Sequence, residues 1–175
     1  MVLRGRREAD VAVLHAELYQ DVATRSRADS RPWRPLGEGS SSPYAATGEP
    51  SDSAAFSVEE VASGELAGEA LLWGVDLHNR TAHIGISLRP GFRGRGLSTD
   101  VVQVLCEYGF SVRGLHRLQI ETLADNEAMI RAATRVGFVR EGHFRRSAWV
   151  LGDFADEVVL GLLADEWNAS RLATS

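Results

Sequence analysis

The sequence predicts an α/β (α+β) fold: a mixed, mostly antiparallel central sheet of about seven strands with helices on both faces. Three observations predict it. Between Ala55 and Leu88 three strand-length runs, "AFSVEEVA", "ELAGEALLWGVD" and "TAHIGISL", are separated only by short turns at Ser63-Gly64 and His78-Asn79, which implies consecutive antiparallel pairing. Leu97, Val101, Val104, Leu105 and Tyr108 then recur at helical spacing before "HRLQIETLA" returns to strand character. A strand, a helix and a strand in that order imply a parallel pair, since parallel neighbours cannot be joined by a tight turn. Two last strand patterns lie within "FVREGHFRRSAWV" and "FADEVVLGLL".

The remaining elements follow in chain order. A short strand around Val2 and Leu3 precedes "READVAVLHAELYQDVATRS", where Val11, Leu14, Leu18 and Val22 mark one amphipathic helix. "RPWRPLGEGSSSPYAATGEPSDSA" is dense in Gly, Pro and Ser, so it is expected to be a long surface loop with a helical turn near Trp33 and a flexible stretch around residues 37–54. After the three strands and the first crossover helix, "DNEAMIRAATRVGF" reads as a second helix. Asp125 or Asn126 is its N-cap, Met129, Ala132, Ala133 and Val136 its inner stripe, and Gly137 its stop. No internal repeat divides the chain, and residues 1–175 are expected to form one domain.

Composition narrows the function. A formal net charge of −5 argues against a general nucleic-acid binder, which needs a basic surface, and suits a cationic acceptor. Cys106 is the only cysteine, so neither an internal disulfide nor a multi-cysteine zinc cluster is available, and a reducing cytoplasm is the expected compartment. Cys106 itself reads as a buried thiol on the first crossover helix. His15, His78, His116 and His143 lack metal-ligand spacing, so no metal is expected. No run approaches the length of a membrane span, and the start lacks the apolar core of a signal peptide. Trp73, Trp149 and Trp167 are expected in the core or at an interface.

The most informative stretch is "RPGFRGRGLSTD", Arg89 to Asp100. Glycines permit close backbone approach and positive φ, while the first turn of a helix leaves N–H groups unpaired and carries the positive end of the helix dipole. Arg93-Gly94-Arg95-Gly96-Leu97-Ser98 therefore suits a phosphate or pyrophosphate, the alternative being a tight strand-to-helix turn with solvated arginines, and the flanking pattern decides between them. The kinase-type P-loop is excluded because no lysine enters the helix. A dinucleotide fingerprint remains as an alternative, with Gly94-x-Gly96 in a strand–helix–strand unit and Glu121 as a ribose-binding acid, although Thr99 replaces its last glycine.

The same loop resembles the acetyl-CoA signature of the GNAT superfamily, Arg/Gln-x-x-Gly-x-Gly/Ala, with Leu88-Arg89-Pro90 as the lead-in and Ser98 at the last small position. "NEAMIRAATRVGF" is similar to the family's second landmark, with Asn126, Gly137 and Phe138 in register. The tail, including Glu141-Gly142, Arg145, Asp156 and Glu166-Trp167, resembles the branch holding ribosomal-protein N-terminal acetyltransferases and polyamine acetyltransferases. The resemblance spans about Ala55 to Trp167.

It implies acetyl-CoA as co-substrate and a primary amine, on a peptide N-terminus or a small molecule, as acceptor. It implies that backbone groups of Ile86, Ser87 and Leu88 line the pantetheine arm, that amides from Arg93 through Gly94, Arg95, Gly96, Leu97 and Ser98 to Thr99 hold the pyrophosphate, and that Asn126 lies near the thiol. It also implies direct attack of a neutral amine on the thioester, with a backbone N–H near Leu88 as oxyanion donor. Relatives often carry a glutamate base in Ala-Glu-Ile-Gly; here the match is Ala82-His83-Ile84-Gly85, which makes His83 the candidate base and Glu69 on the preceding strand the substitute. The positions where relatives place an acid hold Ala133 and Met129, neither of which donates a proton; Ser147 or a water is left as a stand-in. Trp33 marks the expected acceptor pocket. A homodimer, a succinyl donor and a non-catalytic acyl-CoA sensor stay open.

Overall fold

The computed structural model describes residues 1–29, 31–37, 40–45 and 52–172, so part of the stretch expected to be a flexible loop, residues 38–39 and 46–51, lies outside the described residues. Seven strands form one sheet in the order β1-β2-β3-β4-β5-β7-β6. They are β1 Val2–Arg4, β2 Ala54–Glu59, β3 Leu66–Asp76, β4 Thr81–Leu88, β5 Arg117–Leu123, β6 Val139–Val150 and β7 Asp153–Leu163. Every neighbouring pair is antiparallel except β4 and β5, which the helix between them makes parallel, as predicted.

Two faces follow from strand alternation. Ala70 and Leu72 of β3, Ile84 of β4 and Leu118 and Ile120 of β5 belong to the main core, together with Val101, Val102 and Leu105 of helix α3 (Leu97–Glu107), Ala133 of α4 (Glu127–Val136) and Trp167 of α5 (Ala164–Leu172). On the other face, Leu14, Leu18, Tyr19 and Tyr44 form a smaller cluster with Trp33 and Leu66. That second cluster belongs to α1 (Glu8–Leu14), its continuation as one wider π-turn (His15–Tyr19), and the segment after α2 (Val22–Ala28).

Four expectations are corrected. The first helix is two, because Asp21 accepts a hydrogen bond from the Thr24 amide and starts α2 afresh, leaving Val22 exposed rather than on the apolar stripe. No helical turn forms at Trp33 among the described residues. On α3 Val102 is buried beside Val101, Leu105 and Cys106, whereas Val104 faces outward. Of the tryptophans expected in the core or at an interface, Trp167 enters the core, and Trp73 and Trp149 are exposed in the single chain. The terminal helix α5 was not foreseen. Among the described residues no helix is long and apolar enough to cross a membrane.

A polar knot ties α1 to the sheet. Arg4 on β1 donates to both oxygens of Asp10 (2.6 and 3.0 Å) and to Glu59 at 2.7 Å, while the Ser57 hydroxyl and the Arg7 amide donate to Asp10 at 2.8 Å each. Asp10 is only 5% exposed, and the Arg4 guanidinium holds its carboxyl well below the usual carboxylate range. Asp10→Ala leaves Arg4 with Glu59 alone and strips the buried Ser57 hydroxyl of its acceptor, so urea unfolding at pH 7 is expected to show a loss of about 3 kcal/mol. A depressed carboxylate contributes stability above its unfolded pKa and loses it as pH falls through its folded one. The gap between wild type and variant should therefore shrink below about pH 4.

Candidate active site

The parallel pair β4/β5 is the origin of the site. Pairing runs Thr81↔Arg117, Ala82↔Leu118 and His83↔Gln119 and then stops, although β4 continues to Leu88 and β5 to Leu123. The two strands part beyond His83. On its other edge β4 stays laddered to β3 as far as Gly68↔Leu88. Because the Arg89 amide donates to the Ala67 carbonyl at 2.9 Å, Leu88 is a position whose own N–H and C=O face away from β3. Alternation gives Ile86 the same direction, whereas the Ser87 carbonyl is turned to β3, where a Cβ on Gly68 would lie 2.2 Å from it. Ile86 and Leu88 thus present backbone to the gap, and Ser87 serves the ladder.

Beyond β4, Pro90–Phe92 make a single 3₁₀ turn and α3 begins. Gly94 (φ 71°) and Gly96 (φ 76°, the N-cap of α3) both adopt the left-handed conformation. No side chain caps the helix. The Thr99 amide folds back to the Gly96 carbonyl at 3.3 Å, but among the described residues no hydrogen bond closes on the amides of Gly94, Arg95, Gly96, Leu97 and Ser98. No atom lies within 4 Å of where a Cβ on Gly94 or Gly96 would stand. The result is a run of unpaired donors at the positive end of a helix, open to an anion.

The arginines contribute less charge than their number suggests. Arg89 is bound to Glu17 (2.5 and 3.0 Å) and Arg95 to Glu60 (2.5 Å), and both guanidiniums lie over the Phe92 ring. Arg93 has no carboxylate partner at salt-bridge distance among the described residues; its Nε donates to the Leu88 carbonyl at 2.9 Å and its terminal nitrogens reach the Thr24 hydroxyl at 3.2 Å. Arg93 therefore pins the loop to α2 and leaves the N–H as the free backbone group of Leu88.

His83 lies at the point where the strands diverge. Its ring stacks on Trp73 of β3 with centroids 4.2 Å apart, and its Nδ1 is buried, without a hydrogen bond, 3.6 Å from Glu121 Oε1 on β5. Glu69 shares this face but lies four positions along β3, opposite Ser87. It is buried rather than solvated, paired with Arg6 at 2.8 Å, and burial pushes its carboxyl up despite that partner. The fold does not bring Glu69 to His83.

The other candidates have local tasks. Asn126 caps α4, accepting from the Met129 amide at 3.3 Å and donating to Thr122 at 2.9 Å. Trp33 donates its indole N–H to the Tyr19 carbonyl at 3.0 Å and packs on the smaller cluster. Ser147 lies on the exposed β6/β7 hairpin, bonded to the Phe144 carbonyl, and Ala133 is buried in the core. Cys106 is buried, which raises its thiol pKa and removes it from chemistry. Among the described residues no group of three or more His, Cys, Asp or Glu could hold a metal ion. Sequence reasoning missed the Trp73 and Glu121 contacts to His83.

Comparison with known proteins agrees with this geometry. The Acetyltransferase (GNAT) domain family matches residues 1–139. The chain is similar to the protein named ribosomal N-acetyltransferase YdaF of Bacillus subtilis (strain 168), 33% identical over 108 residues, 62% of this chain and 59% of that one. It is also similar to spermidine N(1)-acetyltransferase of Escherichia coli (strain K12), 27% identical over 108 residues, 62% of this chain and 58% of the other. It thus spans about six-tenths of the length of these relatives. The fold matches the crystal structure of spermidine N-acetyltransferase from Vibrio cholerae in complex with CoA and spermine, at a TM-score of 0.80 and 18% identity, over 95% of this chain and 97% of that one. A family match over more than half of the chain, on a sheet that parts beside an uncapped helix, is sufficient: the chain belongs to the GNAT acetyltransferase family.

Proposed function

We propose that the chain transfers an acetyl group from acetyl-CoA to a primary amine by direct attack within a ternary complex. One observation carries the reading: β4 and β5 separate after His83↔Gln119 directly below the uncapped N-terminus of α3, so unpaired backbone on one strand leads into unpaired amides on one loop. The amides from Gly94 to Ser98 fit a diphosphate, and Ile86 and Leu88 fit an extended amide-bearing arm, the two parts of coenzyme A that need backbone partners. When bound, the thioester supplies an activated acyl carbon. The chain's own groups do the rest. The Leu88 N–H donates to charge developing on the acyl oxygen, and His83, farther back along β4, accepts through intervening waters the proton that the amine nitrogen must lose. Because Met129 and Ala133 offer no proton, the thiolate departs unaided, which its modest basicity permits.

The acceptor is a cationic small molecule or a peptide N-terminus, in keeping with the acidic chain and with the two activities named among its relatives, and the setting is a reducing cytoplasm. Isothermal titration with acetyl-CoA and with free CoA tests the donor half: no binding near a millimolar would remove the reading. Thiol release dependent on an added amine tests the second half. Binding without any release across a broad amine panel would instead support an acyl-CoA sensor, the reading that Ala133 and Met129 favour.

A further inference from the structure

We infer that Glu121 is a positioning residue for His83, fixing the imidazole tautomer so that Nε2 is the atom that takes the amine proton. The inference rests on the reading of His83 as base, and it adds which nitrogen acts and what selects it. Three features of the geometry carry it. His83 Nδ1 is buried and has no hydrogen bond, so solvent cannot satisfy it. The ring cannot turn freely, because Trp73 stacks on one face with centroids 4.2 Å apart. Among the described residues the one carboxylate at ion-pair distance from Nδ1 is Glu121 Oε1 at 3.6 Å, itself oriented by a hydrogen bond from Gln119 Nε2 at 2.8 Å.

The chemistry of the pair then selects the proton's place. An ionised carboxylate only accepts, so a lone pair on Nδ1 pointed at Oε1 would be repelled while an N–H pointed there is attracted. A buried unpaired donor costs about 1–3 kcal/mol, enough to draw the two groups together by the few tenths of an ångström that separate 3.6 Å from a hydrogen bond. With the proton on Nδ1, the lone pair belongs to Nε2. Of the two ring nitrogens only Nδ1 is buried without a partner, so Nε2 is the one open to approach. As the amine nitrogen forms its bond to the acyl carbon and the carbon–sulfur electron pair leaves with sulfur, the nitrogen's proton passes through intervening waters to Nε2. The resulting imidazolium is stabilised by Glu121 and returns the proton to solvent or to the thiolate.

Glu121 is 40% exposed on β5, so Glu121→Gln should fold normally and keep the Gln119 bond. In wild type, ¹⁵N NMR of the imidazole at alkaline pH is expected to show the neutral ring protonated at Nδ1; in Glu121→Gln it should show a mixture of tautomers. Turnover should fall on the order of tenfold with KM for acetyl-CoA unchanged, and Glu121→Asp should recover most of it. In a His83→Ala background, Glu121→Gln should add no further loss. An unchanged tautomer in Glu121→Gln, or a full tenfold loss without His83, would overturn the positioning role. The NMR result does not depend on turnover, so it separates failure of this inference from failure of His83 as base.

Discussion

Gly96→Val is expected to weaken binding of coenzyme A by roughly 100-fold or more while leaving most of the protein's stability intact. The two effects separate for a geometric reason. Gly96 holds φ at 76°, a conformation that a β-branched side chain resists at a cost of about 1–2 kcal/mol, but its Cβ would meet nothing within 4 Å in the protein itself. The new side chain therefore projects into the space where the diphosphate is held. It also tilts the peptides that aim the Leu97 and Ser98 amides. Charge-assisted hydrogen bonds are worth about 1.5–3 kcal/mol each, so losing two of them exceeds the backbone strain. Titration calorimetry with CoA reads the affinity and thermal unfolding reads the strain. Wild-type affinity in a folded Gly96→Val protein would mean that the diphosphate is not bound by this loop.

How much of this was legible in the residues depends on what each signal encodes. The ladder from β2 to β4 was readable because alternation and turn dipeptides are local. The start of α4 at Asn126 was readable from its capping chemistry. The break at Asp21 was not, since Val11, Leu14, Leu18 and Val22 keep helical spacing straight across it; the Asp21-x-x-Thr24 cap was the overlooked sign. The site shows the limit most clearly. Counting back from the Asp76↔Thr81 pair places Gly74 opposite His83, yet a bulge between Trp73 and Asp76, with Gly74 at φ 59°, shifts the register and puts Trp73 there. A bulge is one residue of backbone geometry and leaves only a glycine in the sequence. Glu121 escaped for another reason: its approach to His83 crosses β4 and β5, whose relative register is set by a whole crossover rather than a turn. Glycines and caps announce a phosphate loop, whereas a proton-transfer pair between distant strands needs coordinates.

His83→Ala is expected to lower kcat by ~10²-fold with CoA affinity unchanged. Five residues of extended chain separate His83 from Leu88, about 16 Å, so truncating the imidazole touches neither the loop nor the backbone that would line the donor. Stability should change little, because the ring is partly exposed and its stacking on Trp73 is worth about 0.5–1.5 kcal/mol. The pH dependence of the deficit carries the chemical test. Besides the proton lost on bonding, an aliphatic acceptor with a pKa of ~10 reaches the site mostly as an ammonium ion and has a second proton to shed before it can attack. As pH rises towards that value the acceptor arrives already neutral, so the ratio of wild-type to variant rates should narrow. A merely structural role for His83 would leave that ratio flat. Full activity in His83→Ala would move the proton transfer to another group on this face, and Glu121, freed of its ring, would be the first to substitute next.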